Sequence, residues 1–182
     1  MEEQEVPTEH LHEHMEHHAK HSAERWTLGV ALSSALLAAL AAVASLQAGH
    51  HANEAMVSQI EAANQWSYFQ SKSIKESQLK AKMDIFVALD KPVAEADKKK
   101  AEEYSADKEK IQKAAEAKEK EAGHELQTHQ IFARSVTFFQ IAISIGAIAA
   151  LTKRRRFWLV SLACGAVGLV FFVQAIWFAR GM

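Results

Sequence analysis

Histidine is the residue type in this chain best placed to do chemistry. Six of the ten histidines fall within the first 25 residues: His10, His12, His14, His17, His18 and His21. On a helix, His10, His14, His17 and His21 share one face, and His14/His18 and His17/His21 are i,i+4 pairs able to grip one divalent ion. The same segment sets seven acidic residues against Lys20 and Arg25, a charge of −5. Protonation of all six imidazoles would turn it to +1, so it also reads as a pH-sensitive element. The plainer alternative is a solvated, low-complexity tail that meets metal only adventitiously. A second group comprises His50, His51, His124 and His129, with Glu54 and Glu125 nearby in sequence. If the chain doubles back so that His129 lies near Asn53 and Glu54, a carboxylate meets two or three imidazoles. Such a set holds a divalent metal or responds to protons. Its plainer alternative is a cluster of polar residues at a helix–membrane junction.

No other constellation suggests catalysis. There is no nucleophile–base–acid set, no glycine-rich phosphate loop and no zinc motif, so the expectation is a protein that is not an enzyme and requires no cofactor. The single cysteine, Cys164, excludes an intrachain disulfide and a cysteine-based metal site. A net charge of −1, with no interleaving of basic and aromatic residues, argues against nucleic acid as a partner.

These residues are positioned by a chain with only two prolines, Pro7 and Pro92, a scarcity that favours long helices. Three apolar blocks are each long enough to cross a bilayer: residues 26–49, 134–152 and 157–179. The acidic start argues against a cleaved signal peptide, whose n-region is basic. In the first span, Ser34, Ala38 and Ala42, and Ala31, Ala35 and Ala39, repeat every four residues, a spacing that lets another helix approach closely. Gly165 and Gly168 give the third span a similar smooth patch. Gln47, Gln140 and Gln174 are the amides of these blocks, expected to hydrogen-bond between spans, within one chain or across subunits. Lys153-Arg154-Arg155-Arg156 forms a short basic loop (153–156) between the second and third spans and is the topology determinant. It belongs on the cytoplasmic side of the membrane, which puts the N-terminus in the cytoplasm and the C-terminus outside.

Between the first two spans, residues 50–133 read as an extracytoplasmic antiparallel helical hairpin of the coiled-coil kind, its tip at 90–92. Each arm, about 40 residues, would be about 60 Å long. Met56, Ile60, Ala63, Trp66, Phe69, Leu79, Met83 and Phe86 form an apolar stripe on the first arm. Tyr104, Ile111, Ala114, Ala115, Ala122 and Leu126 form a thinner seam on the second, broken by Lys108 and Lys118. Pairing about Lys91-Pro92 makes facing residue numbers sum to roughly 183. The second seam is too thin to cover Trp66, Tyr68 and Phe69, which marks them as an interaction surface and predicts a homo-oligomer or a helical protein partner. The fold class expected is therefore an all-α membrane protein, with an acidic tail (1–25), three spans and the long hairpin, in contact with membrane lipid.

The stretch Asn64-Gln65-Trp66-Ser67-Tyr68-Phe69-Gln70-Ser71-Lys72-Ser73-Ile74-Lys75 resembles a hallmark of the bacterial membrane-protein family called domain of unknown function 4337. Ala41-Ala42-Val43-Ala44-Ser45-Leu46 and Ile148-Ala149-Ala150-Leu151-Thr152-Lys153-Arg154-Arg155-Arg156 resemble it in the same order. The resemblance implies three spans and a helix-rich chain, and no activity or functional residues. The function expected is that of a membrane-anchored structural or interaction protein. Two alternatives are a metal- or pH-responsive sensor, and a channel or pore subunit lined by the glutamines.

Overall fold

The computed structural model describes the backbone of residues 8–181 and the side chains of residues 25–181. Three α-helices account for it: α1 (Thr8–Ala88, 81 residues), α2 (Glu95–Thr152, 58 residues) and α3 (Arg155–Arg180, 26 residues). Among the described residues there is no strand. All three helices are long and apolar enough to cross a membrane. The chain divides into two compact units, Met1–Ala48 with Gln130–Met182, and Gly49–His129.

In the first unit, portions of all three helices pack around Leu37, Ala41, Ala44, Ala48, Phe132, Phe139, Ala142 and Ala175. Small residues set the spacing. A Cβ placed on Gly168 would come within 2.8 Å of the buried Phe139 ring, and one on Gly165 within 2.8 Å of Leu37. Aromatic rings fill what the glycines leave, with Phe138 stacked on Phe171 at 5.5 Å and Phe132 edge-on to Phe172 at 5.9 Å. Ser161 donates to the carbonyl of Ala142 at 2.6 Å, and Trp158 donates to the Ser33 hydroxyl at 3.2 Å. Ser161 and Trp158 are thus tied to a neighbouring helix, whereas the buried Ser135 hydroxyl has no hydrogen-bond partner among the described residues. The basic loop is shorter than its sequence suggests. Only Lys153, with φ 53°, and Arg154 lie between α2 and α3, and Arg155 and Arg156 already belong to α3.

The second unit is a helical hairpin. Its first arm ends in a paired-hydrogen-bond cap: Lys91 N–H donates to Phe86 C=O at 2.9 Å and Asp90 N–H to Val87 C=O at 3.1 Å. Asp90 takes the left-handed conformation the cap requires, φ 53°, a position where glycine is usual and aspartate is tolerated. Pro92 follows, where the helix has already stopped. The second arm opens with Glu95 and Asp97 in its first turn, where negative charge suits the helix dipole.

The buried stripe on the first arm is Ala55, Ser58, Ala62 and Glu76, with Phe69, Lys72, Leu79 and Met83 half-buried. On the second it is Ala101, Ile111, Ala115 and Ala122, with Tyr104, Lys108, Lys118 and Glu125 half-buried. Both stripes step by threes and fours and repeat every seven residues, the spacing that keeps one helix face against another. This corrects the expected stripe. Met56 and Ile60 are 62% and 55% exposed, and Ala114 and Leu126 are exposed too. Alanine rather than the larger side chains sits where the arms approach most closely. The cross-arm pairs straddle the expected sum of roughly 183: Glu76–Lys108 and Trp66–Glu119 sum to 184 and 185, and Lys72–Asp107, Lys82–Asp97 and Glu61–Lys118 each to 179, about one turn lower.

Candidate functional site

The hairpin seam holds the densest set of interacting polar groups among the described residues. At its centre Glu76, only 5% exposed, accepts from Lys108 at 2.8 Å and Lys80 at 2.6 Å. Lys108, reaching from the other arm, holds the Glu76 carboxyl below its ordinary range, and Lys80 adds to the effect. The Lys108 ammonium also lies over the Phe69 ring, 5.4 Å from its centroid. One turn along, Lys72 donates to Asp107 at 2.7 Å and sits between the rings of Tyr68 and Tyr104, at 5.4 and 5.2 Å. The Asp107 bond pushes Lys72 up, and Lys72 in turn holds Asp107 down. Lys118 bridges Glu61 and Glu121 at 2.9 Å each, and its ammonium is pushed well above the usual lysine value by Glu61 first and Glu121 second. Trp66 donates its indole N–H to Glu119 at 2.8 Å and meets Phe69 edge-on at 5.6 Å.

The structure therefore splits the expected interaction surface of Trp66, Tyr68 and Phe69. Trp66 and Phe69 are half-buried and engaged with the opposite arm, and only Tyr68 is exposed. The residues counted as breaks in the second seam, Lys108 and Lys118, are members of it. A lysine stem lies along apolar surface while its ammonium reaches a carboxylate, so lysine tolerates a seam position. Glu76 was missing from the sequence expectation. Its signal is its spacing, seven residues after Phe69 and seven before Met83, on the buried face.

Apolar exposure is concentrated elsewhere in the hairpin. Met56, Val57 and Ile60 cluster on the outer side of the first arm. At the turn, Ile85, Val87 and Leu89 are exposed, Val87 by 64%. The signal was legible: Ile85-Phe86-Val87-Ala88-Leu89 is a run of five apolar residues at a helix end, and one helix face cannot bury them all.

At the other end of the hairpin, His51 pairs with Glu125 at 2.6 Å, and the His50 ring stands 5.3 Å from that of His51. Of the expected carboxylate with two or three imidazoles, the structure shows one carboxylate–imidazole pair with a second imidazole ring beside it. Glu54 and His50 are exposed, and His129 is half-buried on the second arm. Among the described residues no group of three or more His, Cys, Asp or Glu is arranged to hold a metal ion. The tail histidines His10, His14, His17, His18 and His21 lie outside the described side chains. In the first unit, Gln47, Gln140 and Gln174 are all exposed. They do not form the expected bonds between this chain's own spans, because the inward positions are taken by Ala, Gly and Phe. Lys153, Arg154, Arg155 and Arg156 are exposed together at the turn between α2 and α3, around a cavity of about 410 Å³ lined by the three arginines.

No curated protein and no solved structure is similar to this chain. One family model matches it, over residues 26–178, which takes in the three helices from Trp26 onward and the whole hairpin. The chain belongs to the family described as Domain of unknown function (DUF4337).

Proposed function

We propose that this protein is a membrane-anchored structural or interaction protein that self-associates, its hairpin forming an antiparallel coiled coil. The observation that carries this reading is the apolar surface the hairpin leaves uncovered, Met56, Val57 and Ile60 on one side and Ile85, Val87 and Leu89 at the turn. Exposed apolar clusters rimmed by charge are the usual mark of a partner site. Of the charged residues beside these clusters, Glu61 pairs with Lys118 and Lys82 with Asp97 across the hairpin, so those charges tie the arms and the apolar clusters remain for a partner. The three long apolar helices fit a multi-pass anchor. The basic turn at Lys153–Arg156 favours an orientation with that turn and the N-terminus in the cytoplasm and the hairpin outside.

Mass photometry of the full chain in mild detergent tests the reading. Oligomers are expected for the wild type, with the fraction lowered in Met56→Ser/Ile60→Ser or Val87→Ser/Leu89→Ser. A wild type that stays monomeric at every concentration contradicts it.

A second reading, a pH-responsive module, is supported by one contact, His51–Glu125 at 2.6 Å. Protonated His51 would hold Glu125 as an ion pair and neutral His51 would not. If the pair acts as a switch, hydrogen exchange around residues 51 and 125 will change between pH 5 and 8 in the wild type and not in His51→Gln. Identical profiles for the two proteins would remove this reading.

A further inference from the structure

We infer that the basic turn between α2 and α3 binds the headgroup phosphate of an anionic membrane phospholipid, with Arg154, Arg155 and Arg156 as its ligands. The inference rests on the reading of the protein as membrane-spanning. Successive residues of a regular helix point about 100° apart, which would scatter three arginines around it. Here the backbone changes conformation at each step. Lys153 is left-handed (φ 53°), Arg154 is extended (φ −106°, ψ 110°) and Arg155 opens α3. All three arginines line one cavity of about 410 Å³, within the roughly 300–1,000 Å³ of small-molecule sites. An orientation signal needs only positive charge, which lysines anywhere in the turn supply. The cavity is a separate feature.

Nothing in the described part of the first unit neutralises this charge. From Arg25 to Ala48 and from Gln130 to Gly181 there is no Asp or Glu, and Lys153, Arg154, Arg155 and Arg156 are all exposed. Guanidinium groups present rigid forks that match phosphate oxygens two at a time.

The surroundings favour a lipid over a phosphate free in water. Trp26 and Trp158, both half-buried, stand with their rings 6.4 Å apart, and such rings settle at the headgroup level of a bilayer. Arg154 and Arg155 come four and three residues before Trp158, roughly one helical turn, about 5 Å, nearer the water. Beside them Leu151 is 84% exposed, Leu159 62% and Val160 50%. A lipid brings its phosphate to the arginines and lays its acyl chains along that apolar surface. A free phosphate gains nothing from it.

The test is isothermal titration calorimetry of the full chain in mild detergent. The probes are dioctanoyl phosphatidylglycerol, dioctanoyl phosphatidylcholine and inorganic phosphate. Phosphatidylglycerol is expected to bind at least about tenfold more tightly than either of the others, the scale of one hydrogen bond to a charged group. Arg154→Gln/Arg155→Gln is expected to lose that preference. Lys91→Gln/Lys99→Gln, which removes the same charge from exposed positions of the hairpin, is expected to keep it. Should circular dichroism show the arginine-to-glutamine variant unfolded, Arg154→Lys/Arg155→Lys decides. It keeps the charge and the orientation signal but loses the forks, and is expected to bind at least about threefold more weakly than wild type.

Equal affinity for the two lipids, equal affinity for free phosphate, or a preference that survives in the deciding variant would overturn the inference. So would a wild type that binds no phosphatidylglycerol, the outcome expected if the chain's own acidic residues 1–24 fill the site. Vesicle flotation keeps the two readings apart. A chain that stays with vesicles through an alkaline wash yet fails these tests leaves the membrane reading standing and ends this inference alone. A chain that washes off ends both.

Discussion

The two units solve one packing problem with opposite chemistry. Both bring helices together through small residues at helical spacing: Ala142, Gly146 and Ala149, at steps of four and three, in one, and Ala55 with Ala62 and Ala115 with Ala122, each pair seven apart, in the other. From Arg25 to Ala48 and from Gln130 to Gly181 there is no Asp or Glu, and the gaps are filled by phenylalanines, leucine and glycine. The hairpin instead keeps Glu76 buried in its seam with Lys108 against it. On the proposed reading of the first unit as membrane-spanning, an unpaired charge there has no refuge, so packing and a few hydrogen bonds between neutral groups set the fit. In water, alanine faces slide over one another at little cost, and a buried charge pair selects one register because any other leaves it unpaired.

The contrast predicts different vulnerabilities. The largest effect is expected in the first unit, from Gly168→Leu. Even the first atom of that side chain would stand 2.8 Å from the Phe139 ring, and Phe139 is fully enclosed. Overpacking of this kind costs about 1–3 kcal/mol or more, measurable by reversible unfolding in mixed micelles. A stability equal to wild type would mean that the helices are not packed this closely. Glu76→Ala comes next. It strips Lys108 of its partner in the seam, and a loss of roughly 1–3 kcal/mol is expected. Hydrogen exchange should register that loss in residues 69–83 and 101–115, with no change in residues 132–149.

Acid separates the units further. Glu76, Asp107, Glu109 and Glu121 are all held below their ordinary values, each chiefly by a lysine hydrogen bond. A depressed carboxylate stabilises the fold above its unfolded pKa and loses that contribution as the pH falls through its folded value. The hairpin should therefore lose protection progressively below about pH 4, while the described part of the first unit, with no carboxylate to protonate, should not. Equal protection of the hairpin at pH 3 and pH 7, after correction for intrinsic exchange, would break the comparison. The smallest effect is expected at Asp90→Gly. Relief of the left-handed strain outweighs the added freedom of the unfolded chain, for a gain of roughly 0.5 kcal/mol.

Much of this architecture was legible in the sequence. Apolar length marked the three helices, Pro92 and the polar residues around it marked the turn, and Gly165 and Gly168 marked the close approach of α3. The seam was harder to read, because hydrophobicity favoured Met56 and Ile60 over Ala55 and Ala62. Closeness of approach, which rewards small side chains, decides the contact between two long helices. Lys108 counts as a break in the seam and Glu76 is not singled out for the same reason: single-helix periodicity says which residues share a face, and says nothing of which ion partner crosses from the other arm. The glutamines were recognised as unusual, yet their outward direction depends on which face of each helix the bundle buries.

The central claim is that a charged pair inside the seam fixes the hairpin, and a double-mutant cycle tests it most directly. Glu76→Gln, Lys108→Met and the double variant are compared in the full chain by hydrogen exchange of amides 72–80 and 104–111. Coupling of at least about 0.5 kcal/mol between the two positions is predicted, as for residues in direct contact. Strict additivity, with the double variant losing the sum of the single losses, would contradict the account.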